Sequence, residues 1–372
     1  MTTIRDITNR IEAFAPKHLA EDWDPIGLSF GSYDKQVKKV MVALDLDKKT
    51  LKEAQDKEVD FIFTHHPTIF KSINTLNEHD SRRKDYIDLI RSDIALYSAH
   101  TNLDSTLGGM NDWLAEAIGL EGPYQVLDSS HHSVLKLLVL YTPLDDAKRM
   151  REVLHQVGAG QVGDYRNVSY TLNGIGHFTP ENEANPTIGE QNRAEEVEEE
   201  RLEVLFPADL QSNLIRAIYQ NHPYEEPVFH ILDIDKKDKE FGIGRIGNLP
   251  ESQMLAEIIT KVKNVFNLSH VRIGNTEVDQ MIQRVAIVGG SGEGYYKQAL
   301  NKQADLYITG DISYHGAQDM IRDGLSFIDA GHFIENIFTE KMTAILKKWN
   351  EEECWNIEII PASSQEDVFK II

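Results

Sequence analysis

Apolar positions in the first third of the chain fall into short unbroken runs, separated by stretches with helical spacing. This pattern predicts a helix over 3–14, a strand over VKKVMVALDL (37–46) and a helix over 48–57. A strand over VDFIFT (59–64), a helix over 81–92, a strand over DIALYSAH (93–100) and a helix over 109–120 follow. The last third resumes the rhythm, with strands at 283–290, 304–310, 325–331 and 357–362 and helices at 294–303, 314–324 and 332–352. Strands that alternate with helices predict an α/β layer structure built on a largely parallel sheet.

The middle of the chain has a different order. Strands at 134–143, 168–180, 201–207 and 228–234, with helices at 145–159 and 209–222, give the βαβ…βαβ order of a ferredoxin-like α+β unit. The expected organisation is a discontinuous α/β domain, 1–127 with 249–372, interrupted by a ferredoxin-like insert over 128–248. The Glu-, Asn- and Pro-rich stretch 181–200 reads as an exposed loop or flap.

Composition narrows the class. The chain of 372 residues carries a formal charge of −22, and its only sizeable run of one sign is the acidic EEVEEER at 195–201. Such a surface repels polyanions, so neither nucleic acid nor an anionic membrane is an expected partner. No apolar run approaches the roughly 18 residues of a membrane span. The single cysteine, Cys354, excludes an intrachain disulfide, and the polar N-terminal helix lacks a signal-peptide core. A cytoplasmic protein is the expectation.

Four stretches place metal-competent side chains just after a predicted strand: THHP (64–67), SAHTNLD (98–104), TGDISYH (309–315) and DAGHFIEN (329–336). In α/β sheets the carboxyl ends of parallel strands converge on one crevice. They can therefore bring His65, His66, Asp104, His332 and Glu335 together. Two adjacent histidines cannot both face one site from a regular strand, but they can where Pro67 turns the chain out of it. His332 and Glu335, three apart at a helix start, share a face. Three imidazoles and two carboxylates exceed one tetrahedral zinc and suit two divalent ions about 3.5–4 Å apart, with Glu335 as the bridge. His100 and Asp329 are expected to orient ligands; His315 reads as a ligand, a general base or a bystander, and His315 or His100 would move protons. Taken singly, THHP reads as a surface pair, Asp104 or Asp311 as a helix cap, and His332 with Glu335 as a helix-surface pair. Only their joint placement favours a metal site. The loop GGSGEG, through Gly289, Gly290, Ser291 and Gly292, can aim backbone N–H groups at a substrate phosphate, or can be a tight turn without a ligand. HPYEEP (222–227) reads as a polar turn or a subunit contact.

EDWDPIGL (21–28), THHP, SAHTNLD, GGSGEG, TGDISYH and DAGHFIE, in this order, resemble the dinuclear metal-centre family named after the yeast Ngg-interacting factor, whose bacterial members carry the name GTP cyclohydrolase I type 2 homolog. The resemblance spans essentially the whole chain. HPYEEP, with NPTIGE (185–190) ahead of it, is similar to the inserted domain of the long bacterial members. The chain departs from the family pattern at Pro25, usually Asn, and at Val288, often Cys. The resemblance implies two divalent ions (Zn, Fe, Mn or similar) on His65, His66, Asp104, His332 and Glu335, in a homohexameric toroid. Three functions follow as expectations: a metal-dependent hydrolase of a nucleotide or other phosphorylated small molecule, a metal-handling protein, and a regulatory scaffold.

Overall fold

The architecture follows from strands that are apolar on both faces. The computed structural model describes residues 1–181, 183–274 and 277–370, with 237 and 238 as backbone only. It divides into two compact units, Met1–His131 with Phe241–Ile372, and His132–Glu240.

The chain opens with α1 (Ile4–Phe14), started by a capping box in which Thr3 and Asp6 satisfy each other's backbone N–H. Its buried Ile4, Ile7, Thr8 and Ile11 recur at helical spacing. Then come β1 (Gly27–Phe30), β2 (Lys39–Ala43), α2 (Lys48–Asp56), β3 (Phe61–Thr64), α3 (Ser81–Arg91), β4 (Ala95–Ser98), α4 (Thr101–Ser105) and α5 (Met110–Ala117). The strand β5 (Glu121–Pro143) leads into the smaller unit, where α6 (Leu144–Gln156), β6 (Tyr170–Phe178), β7 (Glu195–Pro207) and α7 (Gln211–Asn221) follow. The strand β8 (Phe229–Met254) carries the chain back. The larger unit resumes with α8 (Leu255–Val265), β9 (Arg272–Gly274), β10 (Met281–Ser291), α9 (Tyr296–Asn301), β11 (Leu306–Gly310), α10 (Tyr314–Arg322), β12 (Ser326–Asp329), α11 (Ile337–Glu352) and β13 (Glu358–Pro361).

The larger unit holds strands in two sheets. In one the order is β1-β4-β3-β2-β13, with β1 alone antiparallel. In the other, β10, β11 and β12 run parallel, flanked by antiparallel β8 and β9. Side chains alternate faces along each strand. Val40, Val42, Phe61, Phe63 and Tyr97 of the first sheet, and Val285, Ile287, Leu306, Ile308 and Ile328 of the second, enter one core with α1, α5, α8 and α11. The opposite faces are covered separately. Met41, Ile62 and Leu96 pack with Leu51 of α2 and Leu89 of α3. Ala286, Val288, Tyr307 and Phe327 pack with Ala299 of α9 and Met320 of α10. Both sheets thus need a continuous apolar run in each central strand, which is what the sequence shows.

The smaller unit has the ferredoxin-like order βαββαβ, with its strands arranged β6-β7-β5-β8. Its core joins Leu138 and Leu140, Met150 and Leu154, Leu202, Val204 and Phe206, and Leu214 and Ile218. The structure corrects one expectation. The acidic run at 195–201 is not loop but the start of β7, with Glu195–Glu203 paired to Phe178–Tyr170. Backbone pairing overrides the charge because partners relieve it: Arg151 pairs with Glu200, and Tyr224 donates to Glu199 at 2.8 Å. HPYEEP is the turn into β8. Tyr224 N–H donates to His222 Nδ1 at 3.1 Å, so Nε2–H is the donor to the Tyr141 carbonyl at 3.0 Å.

One buried cation fastens the larger unit. Arg245 is fully enclosed and donates to Asp112, Thr106 O, Gly242 O and Gly244 O at 2.7–2.9 Å. Arg245→Ala takes the partner from the half-buried Asp112 carboxylate and from three carbonyls, and is expected to cost about 3–5 kcal/mol in denaturant unfolding. A loss below about 1 kcal/mol would contradict this structural role.

Candidate metal centre

The carboxyl ends of the parallel strands in the two sheets supply the site. His65 and His66 follow β3, His100 and Asp104 follow β4, Gly289 and Gly290 end β10, Asp311 follows β11, and His332 and Glu335 follow β12.

Local structure aims each side chain. His65 N–H and His66 N–H still pair loosely with the Ala43 and Leu44 carbonyls, at 3.3 and 3.1 Å, as the chain leaves the sheet. The five-residue α4 puts His100 and Asp104 four apart, one helical turn. His332 and Glu335 lie in a 3-10 turn, His332–Asn336, where residues three apart eclipse. Gly331, at φ +79°, makes the sharp entry to that turn.

All four imidazoles are held through Nδ1 by an acceptor. His65 faces the Ala99 carbonyl at 2.9 Å, His66 the Asp45 carboxylate at 2.8 Å, His100 Asp24 at 3.0 Å, and His332 Asp311 at 2.6 Å. An acceptor at Nδ1 fixes the proton there and leaves Nε2 as the ligating atom. The Nε2 atoms of His66 and His332 lie 3.0 and 3.2 Å from Glu335 Oε2, and 3.4 Å from each other. His65 Nε2 lies 4.0 Å from Glu335 Oε1 and 3.5 Å from Asp104 Oδ1. Glu335 therefore turns one oxygen to each half of the cluster. Two sets of candidate donors, His66–His332–Glu335 and His65–Asp104–Glu335, each have ligand atoms within 4.8 Å of one another and share Glu335; His65–His66–His100 is a third.

The residues fit a metal ion. His65 Nε2 and Asp104 Oδ1 are buried and have no hydrogen-bond partner among the described residues. An orphaned buried lone pair facing an orphaned carboxylate oxygen is costly unless a cation lies between them. Burial drives the His65 pKa well down, so it stays neutral and ligand-ready. Burial and the charge of Glu335 drive Asp104 well up. Burial also opposes charge on His66, but hydrogen bonds to Asp45 and Glu335 prevail and raise it to about 10. The hydrogen bond to Glu335 raises His332 to about 9. Glu335 is held well below its usual range: burial works against this, and the bonds from His332 and His66 outweigh it. Without metal, protons on His66 and His332 supply the positive charge that the carboxylates require.

The glycines have a steric reason. A Cβ on Gly289 or Gly290 would lie 2.8 or 2.7 Å from Glu335 Oε1, and Gly290 has φ +56°. As a phosphate cradle the loop is depleted. Gly289 N–H donates to Asn111 Oδ1 at 3.0 Å and Gly292 N–H to Thr309 Oγ1 at 2.9 Å. Ser291 is exposed and, with Gly289 and Gly290, lines the cavity beside the cluster. His315 is not brought to the site; it is exposed beside Gln318 and does not line this cavity. Asp329 holds Arg272 and the Ile312 and Gly331 N–H groups, fastening loops rather than ligands.

The orienting carboxylates are the residues that sequence reasoning missed. Asp311 does not cap α10, whose cap is Ser313; at φ +54° it turns back onto His332. Asp24, in EDWDP, accepts from His100, Thr101 N–H and Thr101 Oγ1–H. Asn111 links Gly289 N–H to the Asp104 carbonyl, 3.0 Å from each. A cavity of about 380 Å³ adjoins the cluster, lined also by Trp23, Phe70 and Tyr295.

Comparison with known proteins places the chain in a family. The family described as Duf34/NIF3 (NGG1p interacting factor 3) matches residues 2–367. A Bacillus subtilis protein named GTP cyclohydrolase 1 type 2 homolog is 36% identical over 368 residues, 99% of this chain and 98% of its own. A Listeria innocua protein of the same name is 36% identical over 371 residues, with 98% of each chain covered. The crystal structure of a Bacillus cereus protein related to NIF3 superimposes with a TM-score of 0.94 at 34% identity, covering 100% of this chain and 99% of that one.

Two outcomes follow. The folded-state pKa values of His66 and His332, about 10 and 9, exceed the roughly 6.5 of an unfolded histidine. The metal-free cluster therefore contributes stability that is full below about pH 6.5 and fades as pH rises through 9 and 10. Melting of chelator-treated protein is expected to show Tm falling across that window; a flat or rising Tm contradicts it. Gly290→Ala is expected to lower metal affinity at least about tenfold, because its Cβ displaces Glu335. Wild-type affinity by competition with a chromogenic chelator would count against this packing.

Proposed function

The chain belongs to the Duf34/NIF3 family, and we propose that it is a two-metal hydrolase of a nucleotide or other phosphorylated small molecule. The observation that carries this reading is the pair of donor sets sharing Glu335. In it, His65, Asp104 and Glu335 hold one divalent ion, and His66, His332 and Glu335 the other. A thiolate-free set of imidazoles and carboxylates accepts zinc, iron or manganese. When bound, the ions supply Lewis acidity and lower the pKa of water at the site.

The chain's own residues do the rest. The Nδ1 contacts with Ala99 O, Asp45 and Asp311 fix the rings, so no reorganisation is needed during reaction. His100, aimed by Asp24 and grouped with His65 and His66, takes the proton that the attacking water releases. Tyr295 is pushed up to about 12 by burial and by the carboxylates of Glu21, Asp128 and Asp104. It keeps its proton at neutral pH and donates a hydrogen bond to charge developing on a substrate oxygen. Ring opening of a purine, as the relatives' name suggests, and phosphoester hydrolysis can both use this combination. In this reading the protein works in the cytoplasm as a homohexamer. The free, exposed thiol of Cys354 suits a reducing compartment.

Metal handling without turnover is the second reading. Side chains of Asp45, Asp311 and His332 are 51%, 39% and 40% exposed, so solvent reaches one donor set directly.

Elemental analysis of protein purified without chelator or histidine tag is expected to find about two ions per chain, and Asp104→Ala to lose about one with the fold intact. One ion or none in the wild type contradicts the two-metal assignment. Screening of nucleotides and phosphoesters under that metal separates the two readings. The hydrolase reading expects turnover that falls at least about 10²-fold in Asp104→Ala. Bound, exchangeable ions with no turnover favour metal handling.

A further inference from the structure

We propose that Trp23 and Phe70 form a stacking shelf for a flat heterocyclic ring of the substrate, so that the cavity selects ring-bearing phosphates, such as nucleotides, over ring-free ones. The inference rests on the two-metal reading and names the substrate class for that same site.

Trp23 is 58% exposed and Phe70 51%. Trp113 and Trp349 are buried in the core. Exposure of two large rings is unfavourable, and these two touch: their centroids lie 5.7 Å apart at 59°, so one can offer its face to a ligand while the other meets the ligand's edge. Trp23 also meets His100 edge-on at 6.2 Å. The pair therefore borders the metal-binding groups and lines the same cavity as His66, Asp104 and Glu335.

Both rings are mounted on anchored chain. Ahead of Trp23, Glu21 N–H donates to Thr101 Oγ1 at 3.0 Å, and Asp24 just after it holds His100 and Thr101. Beside Phe70, the Thr68 carbonyl accepts from Tyr86 Oη–H at 2.8 Å. The shelf costs little ordering when a ligand arrives.

The surroundings point to one occupant. The cavity of about 380 Å³ is sized for a small molecule. Its metal-binding wall calls for an anionic oxygen group and its shelf for a π face, and a nucleotide carries both. Aromatic stacking is tolerant of base identity, so the shelf selects for a ring rather than for a particular base.

The test uses the full chain loaded with zinc, titrated calorimetrically with guanosine 5′-monophosphate, adenosine 5′-monophosphate and ribose 5-phosphate. Wild type is expected to bind both nucleotides about 5- to 150-fold more tightly than ribose 5-phosphate. Trp23→Ala and Phe70→Ala are expected to shrink that ratio toward one, mainly by weakening the nucleotides, and Trp23→Phe to retain part of it. Zinc content and oligomeric state are measured for every variant. A wild-type ratio near one overturns the shelf, as does a ratio unmoved by both alanine variants; the metal reading survives either result. Loss of zinc, or a changed assembly, in both alanine variants assigns the rings a structural or subunit-contact role and also overturns it. Failure of zinc-loaded wild type to bind any of the three phosphates overturns the hydrolase reading itself, and the shelf with it.

Discussion

The site depends on one arrangement: each of four imidazoles is pinned through Nδ1, so that its second nitrogen is left for the interior. Two of the pins are solvent-facing carboxylates, Asp45 and Asp311; one is the enclosed Asp24, and one is the Ala99 carbonyl. With the protons held outward, lone pairs converge around Glu335. Like dipoles and carboxylates do not gather in a buried pocket without positive charge. In the metal-free state protons on His66 and His332 provide it, which is why their pKa values rise although burial opposes them. A cation placed among the same groups could supply that charge instead.

The fold exists to bring these groups from distant segments to one place. Two sheets share a helical layer, and the parallel strands β3 and β4 of one and β10 and β12 of the other lead to the same cavity. A slip by one residue in a central strand would turn its polar end away from the others. Close approach supplies the last constraint. The backbone at Gly289 and Gly290 lies so near Glu335 that no side chain fits, so the glycines of that loop are explained by the carboxylate of Glu335 rather than by a phosphate.

Much of this was legible in the sequence, for physical reasons. Doubly buried strands appear as unbroken apolar runs, and α1, α2, α3 and α11 show helical spacing, so the α/β layers and the ferredoxin-like order could be read directly. The structure gathers His65, His66, Asp104, His332 and Glu335 at the strand ends, where the sequence analysis looked for them. What was hidden depended on contacts between distant segments. Asp311 resembled a helix cap, and only its left-handed backbone and the position of His332 show otherwise. Asp24 and Asp45 are 76 and 21 residues from the histidines they hold. His315 sits near the motifs in sequence but lies on the exposed side of the first turn of α10. The acidic run at 195–201 misled because charge is a weak guide to strand pairing, which the backbone sets.

The central claim is that Glu335 lies between two ions. Anomalous diffraction from metal-loaded crystals, collected above and below the absorption edge of the bound metal, tests it most directly. The account predicts two peaks about 3.5–4 Å apart, one against His65 and Asp104 and the other against His66 and His332, with Glu335 touching both. A single peak, or peaks elsewhere on the chain, would contradict it.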